Sequence, residues 1–305
     1  MLGSLIVLLL LFSGWYLFQA NIPPYYSNSF SLNTKLLHIQ KQSFNKFDVI
    51  TMGSSMTLSN LNSEVIVNKF GNNYYNFSSW GQDISMTRYF GEIYAKLYEP
   101  RLVIICSYYG DFVETSINYS SFSPTLFSSK INVLNWFHAG CTNFRRAKRD
   151  FKNNQHFFSH REQYESLVFD PYGGVPLNVP KSKIDSIRWN QELICTTSKS
   201  QYEELEKLSK YLFDRNIKLV LVQVPIRKGI IDEQKKKQME QHRIKCEKIL
   251  NAHTNIYLDY ALEETLSNEE LFLDRTHLNE IGAKLFTQKL IDDIDSLETF
   301  KKLIN

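Results

Sequence analysis

A three-layer α/β/α sandwich with a mainly parallel sheet, preceded by one transmembrane helix, is the architecture this sequence predicts. Three observations predict it. The N-terminal stretch "LGSLIVLLLLFSGWYLFQANIPP" holds no charged side chain. From "FDVITMG" onward, short apolar runs alternate with stretches of helical apolar spacing. "RLVIICSYY" is an uninterrupted, largely β-branched run of the kind buried on both faces of a parallel sheet.

The apolar part of the first stretch matches the ~17–20 residues a bilayer core requires, and Trp15 and Tyr16 stand near its end, where interfacial aromatics are common. Phe18-Gln19-Ala20 is a poor signal-peptidase site, because a bulky Phe occupies a position that wants a small residue. Residues 1–20 are therefore expected to be an uncleaved, single-pass anchor in the cell membrane, with the body extracytoplasmic. Lys35, Lys41 and Lys46 follow the span and no Lys or Arg precedes it, a bias that counts toward the opposite side. These lysines lie well past the apolar run.

Residues 21–45 read as a polar, Pro-containing stalk, and residues 46–300 as the body. "DVITMG" is a buried strand, "LNSEVIVNKFG" a helix stopped by Gly, and "YYNFSSWG" a second strand; "ISMTRYFGEIYAKLY" is a helix closed by Pro100, and "LVIIC" a third strand. Residues 112–196 lose periodicity and read as an insertion over the sheet's C-terminal edge; "DPYGGVPLNVP" within it is a loop by its Gly and Pro content. Order returns with the helix "SKSQYEELEKLSKYLFDRN" and the strand "IKLVLVQVP", then a helix from about Asp232 to Ala252, the strand "NIYLDYA" and the final helix "NEIGAKLFTQKLIDDI".

Composition narrows the function. Hydrophobic residues make up 43% of the 305, enough for a real core, and a net charge of +3 gives no case for nucleic acid; neither an arginine-rich run nor zinc-type spacing enters the reading. The lysines of "DEQKKKQMEQHRIKCEKIL" are interleaved with Glu and Gln, as on a solvated helix face. Cys106, Cys141, Cys195 and Cys246 form no CxxC pair; Cys141 and Cys195 can bridge the insertion in an exported body, or each can remain a buried thiol. His156 and His160 in "HFFSH" have i, i+4 spacing without a third ligand and read as a surface pair, while His138 in "NWFHAG" reads as a packed loop histidine. No metal or organic cofactor is expected.

Ser54 and Ser55 fall where the first strand exits, and Asp274 and His277 in the loop before the last helix. Strand-exit loops of a parallel sheet share one edge, so these segments can meet. A serine hydroxyl needs a base, and a histidine base needs a carboxylate to fix its tautomer. Each residue also has a plainer use: Ser55 as a helix-capping turn serine, and Asp274 as the cap of the last helix.

"ITMGSSMTL" resembles the first block of the SGNH/GDSL hydrolases, which places the nucleophile at Ser55. "DRTHLNEIGAKLF" resembles their last block, Asp-x-x-His, which places the orienting carboxylate at Asp274 and the base at His277. "NFSSWGQD" sits where that family carries its oxyanion-hole glycine, Gly81, to be joined by the Ser55 N–H. The resemblance covers about residues 46–295 outside the insertion and implies a flavodoxin-like sandwich. Two departures stand out. Ser54 replaces the Asp of Gly-Asp-Ser, and in "SYYGDF" Gly110 replaces the Asn donor of the third block, with Asp111 matching the Asp that follows. Losing such a donor typically costs ~3–4 kcal/mol of oxyanion stabilisation.

With its anchor, the chain is similar to membrane-anchored members of that family associated with cell-surface O-acylation, of the teichoic-acid D-alanine transfer and alginate-acetylation type. Their activity implies acyl transfer through an acyl-serine onto a surface polysaccharide, beside a multi-pass membrane-bound O-acyltransferase. A carbohydrate esterase of the same type, or an inactive anchored glycan-binding protein, are the alternatives. Trp80, Tyr109, Ser54 and Asp111 at the rim are candidate substrate contacts, Trp80 and the tyrosines by stacking on sugar rings, and Arg227 in "VPIRKG" is a candidate anion holder.

Overall fold

The computed structural model describes residues 2–44, 46–115, 117, 124–129, 131–193 and 196–297. In chain order its regular elements are α1 (Leu2–Gln19), α2 (Phe30–Gln40), β1 (Val49–Thr51), α3 (Ser55–Asn60), α4 (Ser63–Phe70), β2 (Tyr74–Asn76), α5 (Ile84–Tyr98), β3 (Leu102–Ser107), α6 (Val133–Gly140), α7 (Phe144–Asn154), α8 (Ser186–Trp189), α9 (Lys199–Phe213), β4 (Lys218–Gln223), α10 (Glu233–Asn251), β5 (Ile256–Asp259) and α11 (Glu280–Ser296). They fall into two compact units. One comprises residues 1–45 with 116–160, the other residues 46–115 with 161–305.

The larger unit is an α/β sandwich on a five-stranded, wholly parallel sheet of order β2-β1-β3-β4-β5. Val49 pairs with both Tyr74 and Leu102, Leu102 with Lys218, and Val220 with Ile256. Alternate side chains go to opposite faces. Ile104, Cys106, Val220 and Val222 meet Ile66 of α4 and Phe286, Leu290 and Ile294 of α11. On the opposite face α5 lies against α9, so closely that a Cβ at Gly91 would strike Met52 and press on Leu208. Side chains of Asn62, Asp83, Asp232 and Asn279 cap α4, α5, α10 and α11, each accepting a first-turn backbone N–H. The order reverses between β1 and β3, where the two connections leave toward opposite faces. Open α/β sheets bind ligands at that crevice.

The smaller unit differs from the sequence reading. α2 occupies the segment read as a stalk, with Ser31 through Leu37 all buried. Asn33 bonds back to Ser27, and the Gln40 amide donates to the Leu126 carbonyl. The middle of the expected insertion, 116–160, groups with these N-terminal helices, and its two ends, 112–115 and 161–196, stay with the sheet. His138 lies on a helix, α6, rather than in a loop. "FRRAKRDFKNN" is the helix α7, with Arg145, Arg146, Lys148, Arg149 and Lys152 exposed. α1 is long and apolar enough to cross a membrane. Cys141 is exposed with a free thiol, Cys106 and Cys246 are buried thiols, and Cys195 lies outside the described residues, so the expected bridge does too.

Candidate active site

β1 delivers the two serines to the crevice, and they take different tasks. Ser54 is the N-cap of α3; its Oγ accepts from the Met56 N–H at 3.1 Å and donates to Asp111 Oδ2 at 2.8 Å. Ser55, the first residue of α3, lies 2.9 Å from His277 Nε2 through its Oγ. The residue before it has the capping role that the plainer reading gave Ser55.

His277 and Asp274 share a tight loop closed by an isolated antiparallel bridge between Phe272 and Leu278. Asp274 Oδ1 accepts the backbone N–H groups of Thr276 and His277 at 2.8 and 2.7 Å, and Oδ2 lies 2.9 Å from His277 Nδ1. That contact assigns the ring proton to Nδ1 and leaves Nε2 to accept from Ser55. Burial pushes the Asp274 carboxyl up, but the His277 charge and the hydrogen bonds from His277 and Thr276 outweigh it. The net result lies below the ordinary carboxylate range, so Asp274 stays ionised at neutral pH. The cap of α11 is Asn279, not Asp274.

Three further residues complete the arrangement. The Tyr164 hydroxyl donates to Asp274 Oδ2 and lies 2.6 Å from His277 Nδ1; the Arg188 guanidinium sits 4.0 Å over its ring. Fully buried Asn60 ties α3 to the loop, donating to the Thr276 carbonyl and accepting from the Leu278 N–H. Tyr108 folds back on Gly110 so closely that a Cβ there would collide with its hydroxyl. Burial and the Asp111 carboxyl hold the Tyr108 phenol above its usual range against the opposing pull of the Arg275 cation. No sequence signal singled out Tyr164 or Asn60, and Tyr108 stood out only as one of the tyrosines that could stack on a sugar ring, because each of these roles depends on a tertiary contact.

The other expected site residues are placed as follows. Gly81 lies in the exposed turn after β2 with φ of 69°. Trp80 is half-buried against the cluster of Leu58, Val175 and Leu177. Tyr109 is a correction: it is buried among Leu193, Ile226 and Met239, with its ring 4.9 Å from that of His242, so it has no face for a substrate. Arg227 is another. Its guanidinium lies 3.9 Å over Trp189 and donates to the Trp189 carbonyl and Glu269, which commits it to the wall. Asp111 and Ser54 hold each other across the exits of β3 and β1. Burial raises the Asp111 carboxyl to about 8, against the lowering by Ser54 and the Tyr108 N–H and with help from Asp83, so it is largely protonated at neutral pH. A cavity of about 450 Å³ is lined by Trp189, Phe272, Leu273 and Asn279 but by no member of the Ser-His-Asp set. Ser55 itself is half-buried.

No family model and no curated protein matches the sequence. The solved structures it is similar to include one from Bacteroides fragilis NCTC 9343 whose assignment as an acylhydrolase is provisional. The two share 12% identity with a TM-score of 0.42, over 89% of this chain and 94% of that one.

A hydroxyl, an imidazole and an ionised carboxylate thus form one hydrogen-bonded series at a topological switch point. Such a series can move a proton from the hydroxyl to Nε2 while the carboxylate stabilises the resulting imidazolium.

Proposed function

We propose that the protein is a serine-dependent acyl-transfer enzyme that places an acyl group on a hydroxyl of a cell-surface polysaccharide through an acyl-Ser55 intermediate. The observation that carries the reading is the Ser55–His277–Asp274 relay, with both links at 2.9 Å. Ser55 Oγ attacks the acyl carbonyl as His277 Nε2 takes its proton, and Asp274 and Tyr164 hold the ring. The oxyanion is met by the N–H groups of Ser55 and Gly81. Tyr108 supplies a third donor, its hydroxyl filling the space that a side chain at 110 would enter. Collapse breaks the bond to the leaving alcohol, which takes its proton from His277, and Ser55 keeps the acyl group. The acceptor hydroxyl then repeats the attack with His277 as base, releasing Ser55.

An apolar helix of membrane-spanning length supports an envelope location, and a surface glycan acceptor requires the sandwich to be extracytoplasmic. A multi-pass acyltransferase is the partner that would deliver the acyl group. Detergent-purified full-length protein should react with a fluorophosphonate probe, and Ser55→Ala and His277→Ala should not. Labelling that survives Ser55→Ala would overturn the assignment. Rapid hydrolysis of a small acetyl ester without transfer to a glycan would replace the transferase reading with the esterase one. Absence of both labelling and turnover would leave a binding protein.

A further inference from the structure

We infer that residues 131–154 form a second membrane element, a helical hairpin that dips beside the N-terminal span and sets a cationic helix among anionic phospholipid headgroups. The inference rests on α1 crossing the bilayer. α1 and α6 meet backbone to backbone: a Cβ at Gly14 would collide with the Trp136 carbonyl, and one at Gly140 with the Leu10 carbonyl. Residue 136 opposite 14 and residue 140 opposite 10 make the two helices antiparallel. The tip of the hairpin therefore reaches the level of Leu10. Nine residues separate Leu10 from Gln19, or ~13 Å at 1.5 Å per residue, close to half of a ~30 Å hydrocarbon core.

The surfaces agree with that depth. α1 exposes Leu5, Ile6, Leu8, Leu9 and Phe12, and α6 exposes Val133 and Leu134 nearer the C-terminal end of α1, at the level of Tyr16 and Leu17. Irregular backbone at membrane depth needs internal partners for its polar groups, and several at the tip have them. The Cys141 and Thr142 N–H groups donate to the Phe137 and Ala139 carbonyls, the Thr142 hydroxyl donates to the Ala139 carbonyl, and the Asn143 side chain accepts from the Arg146 N–H.

α7 then returns toward the C-terminal end of α1. Phe144 meets the Tyr16 ring at 5.8 Å, Lys148 lies 5.6 Å from the same ring, and Arg146 lies 4.2 Å over Tyr25. Its inner face is Phe144, Ala147 and Phe151, at helical spacing, packed into the cluster of Leu17, Phe18 and Ala139. Its outer face presents Arg145, Arg146, Lys148, Arg149 and Lys152 against the single acid Asp150. A row of cations level with the interfacial aromatics of a span is the complement of an anionic headgroup layer.

The test uses full-length Cys195→Ser protein in phosphatidylcholine vesicles with and without phosphatidylglycerol. An environment-sensitive fluorophore is placed on Cys141 or, in a Cys141→Ser background, at Leu5→Cys. Nitroxide-bearing acyl chains should quench both labels and aqueous iodide neither. Phosphatidylglycerol should deepen the Cys141 label, and replacing the five cations by Gln should abolish that response. Iodide quenching at Cys141 with lipid quenching at Leu5 would overturn the hairpin while leaving the span. Iodide quenching at both would overturn the span itself. A Cys141 label reached by neither quencher would show that the chain itself or a second copy of it covers the hairpin, which also overturns the lipid contact.

Discussion

Tyr108 and Gly110 act as one unit. Glycine at 110 removes the side chain that would otherwise occupy the crevice, and the phenol of residue 108 fills the vacated space. Burial keeps that phenol protonated, so it remains a donor at neutral pH. For Tyr108→Phe, kcat on a small acyl ester should fall about 100-fold, the usual loss for one oxyanion donor. KM should change little, and Ser55 should still take the fluorophosphonate. An unchanged kcat would remove Tyr108 from the oxyanion hole. The paired serines make a related point: one local conformation gives Ser54 the cap and Asp111, and gives Ser55 the imidazole.

Among the elements, α3 and the loop before α11 bring the reacting groups together, and Asn60 is their clasp. Asn60→Ala would leave the buried Thr276 carbonyl and Leu278 N–H without partners, at a cost of ~2–4 kcal/mol in stability. Denaturant unfolding should read that loss, and Ser55 labelling should slow as the loop drifts; unchanged stability would contradict the clasp. The sequence made the sheet and its covering helices legible because the strands are short unbroken apolar runs and the helices repeat at 3.6, and the Asp-x-x-His segment made the relay legible. α2 escaped for a physical reason. It is buried on nearly every side, and its polar residues Asn33 and Gln40 bond inward, so "FSLNTKLLHIQ" shows no amphipathic face. α7 has a clear apolar stripe but falls in a region otherwise poor in pattern. Tyr164, Asn60 and Tyr108 could not be read from order along the chain, since their roles depend on who stands beside them after folding.

At the scale of the whole molecule, charge and chemistry make opposite demands. Lys35, Lys41 and the cations of α7 all follow α1 in the chain, and juxtamembrane Lys and Arg favour the cytoplasmic side. A surface-glycan acceptor requires the other side. With a C-terminal fusion that is active only outside the cytoplasm, activity is the expected result. A reporter active only inside would move the same acyl-serine chemistry to an intracellular ester. The smaller unit also bears on how the protein can be handled, because it is assembled from two stretches separated by the first three strands. Cutting the chain before residue 46 to obtain a water-soluble catalyst would strip α1 and α2 from Trp136, Ala139 and Phe144 and leave a sticky, half-built remnant. A clean excision has to take residues 116–160 as well and rejoin the ends.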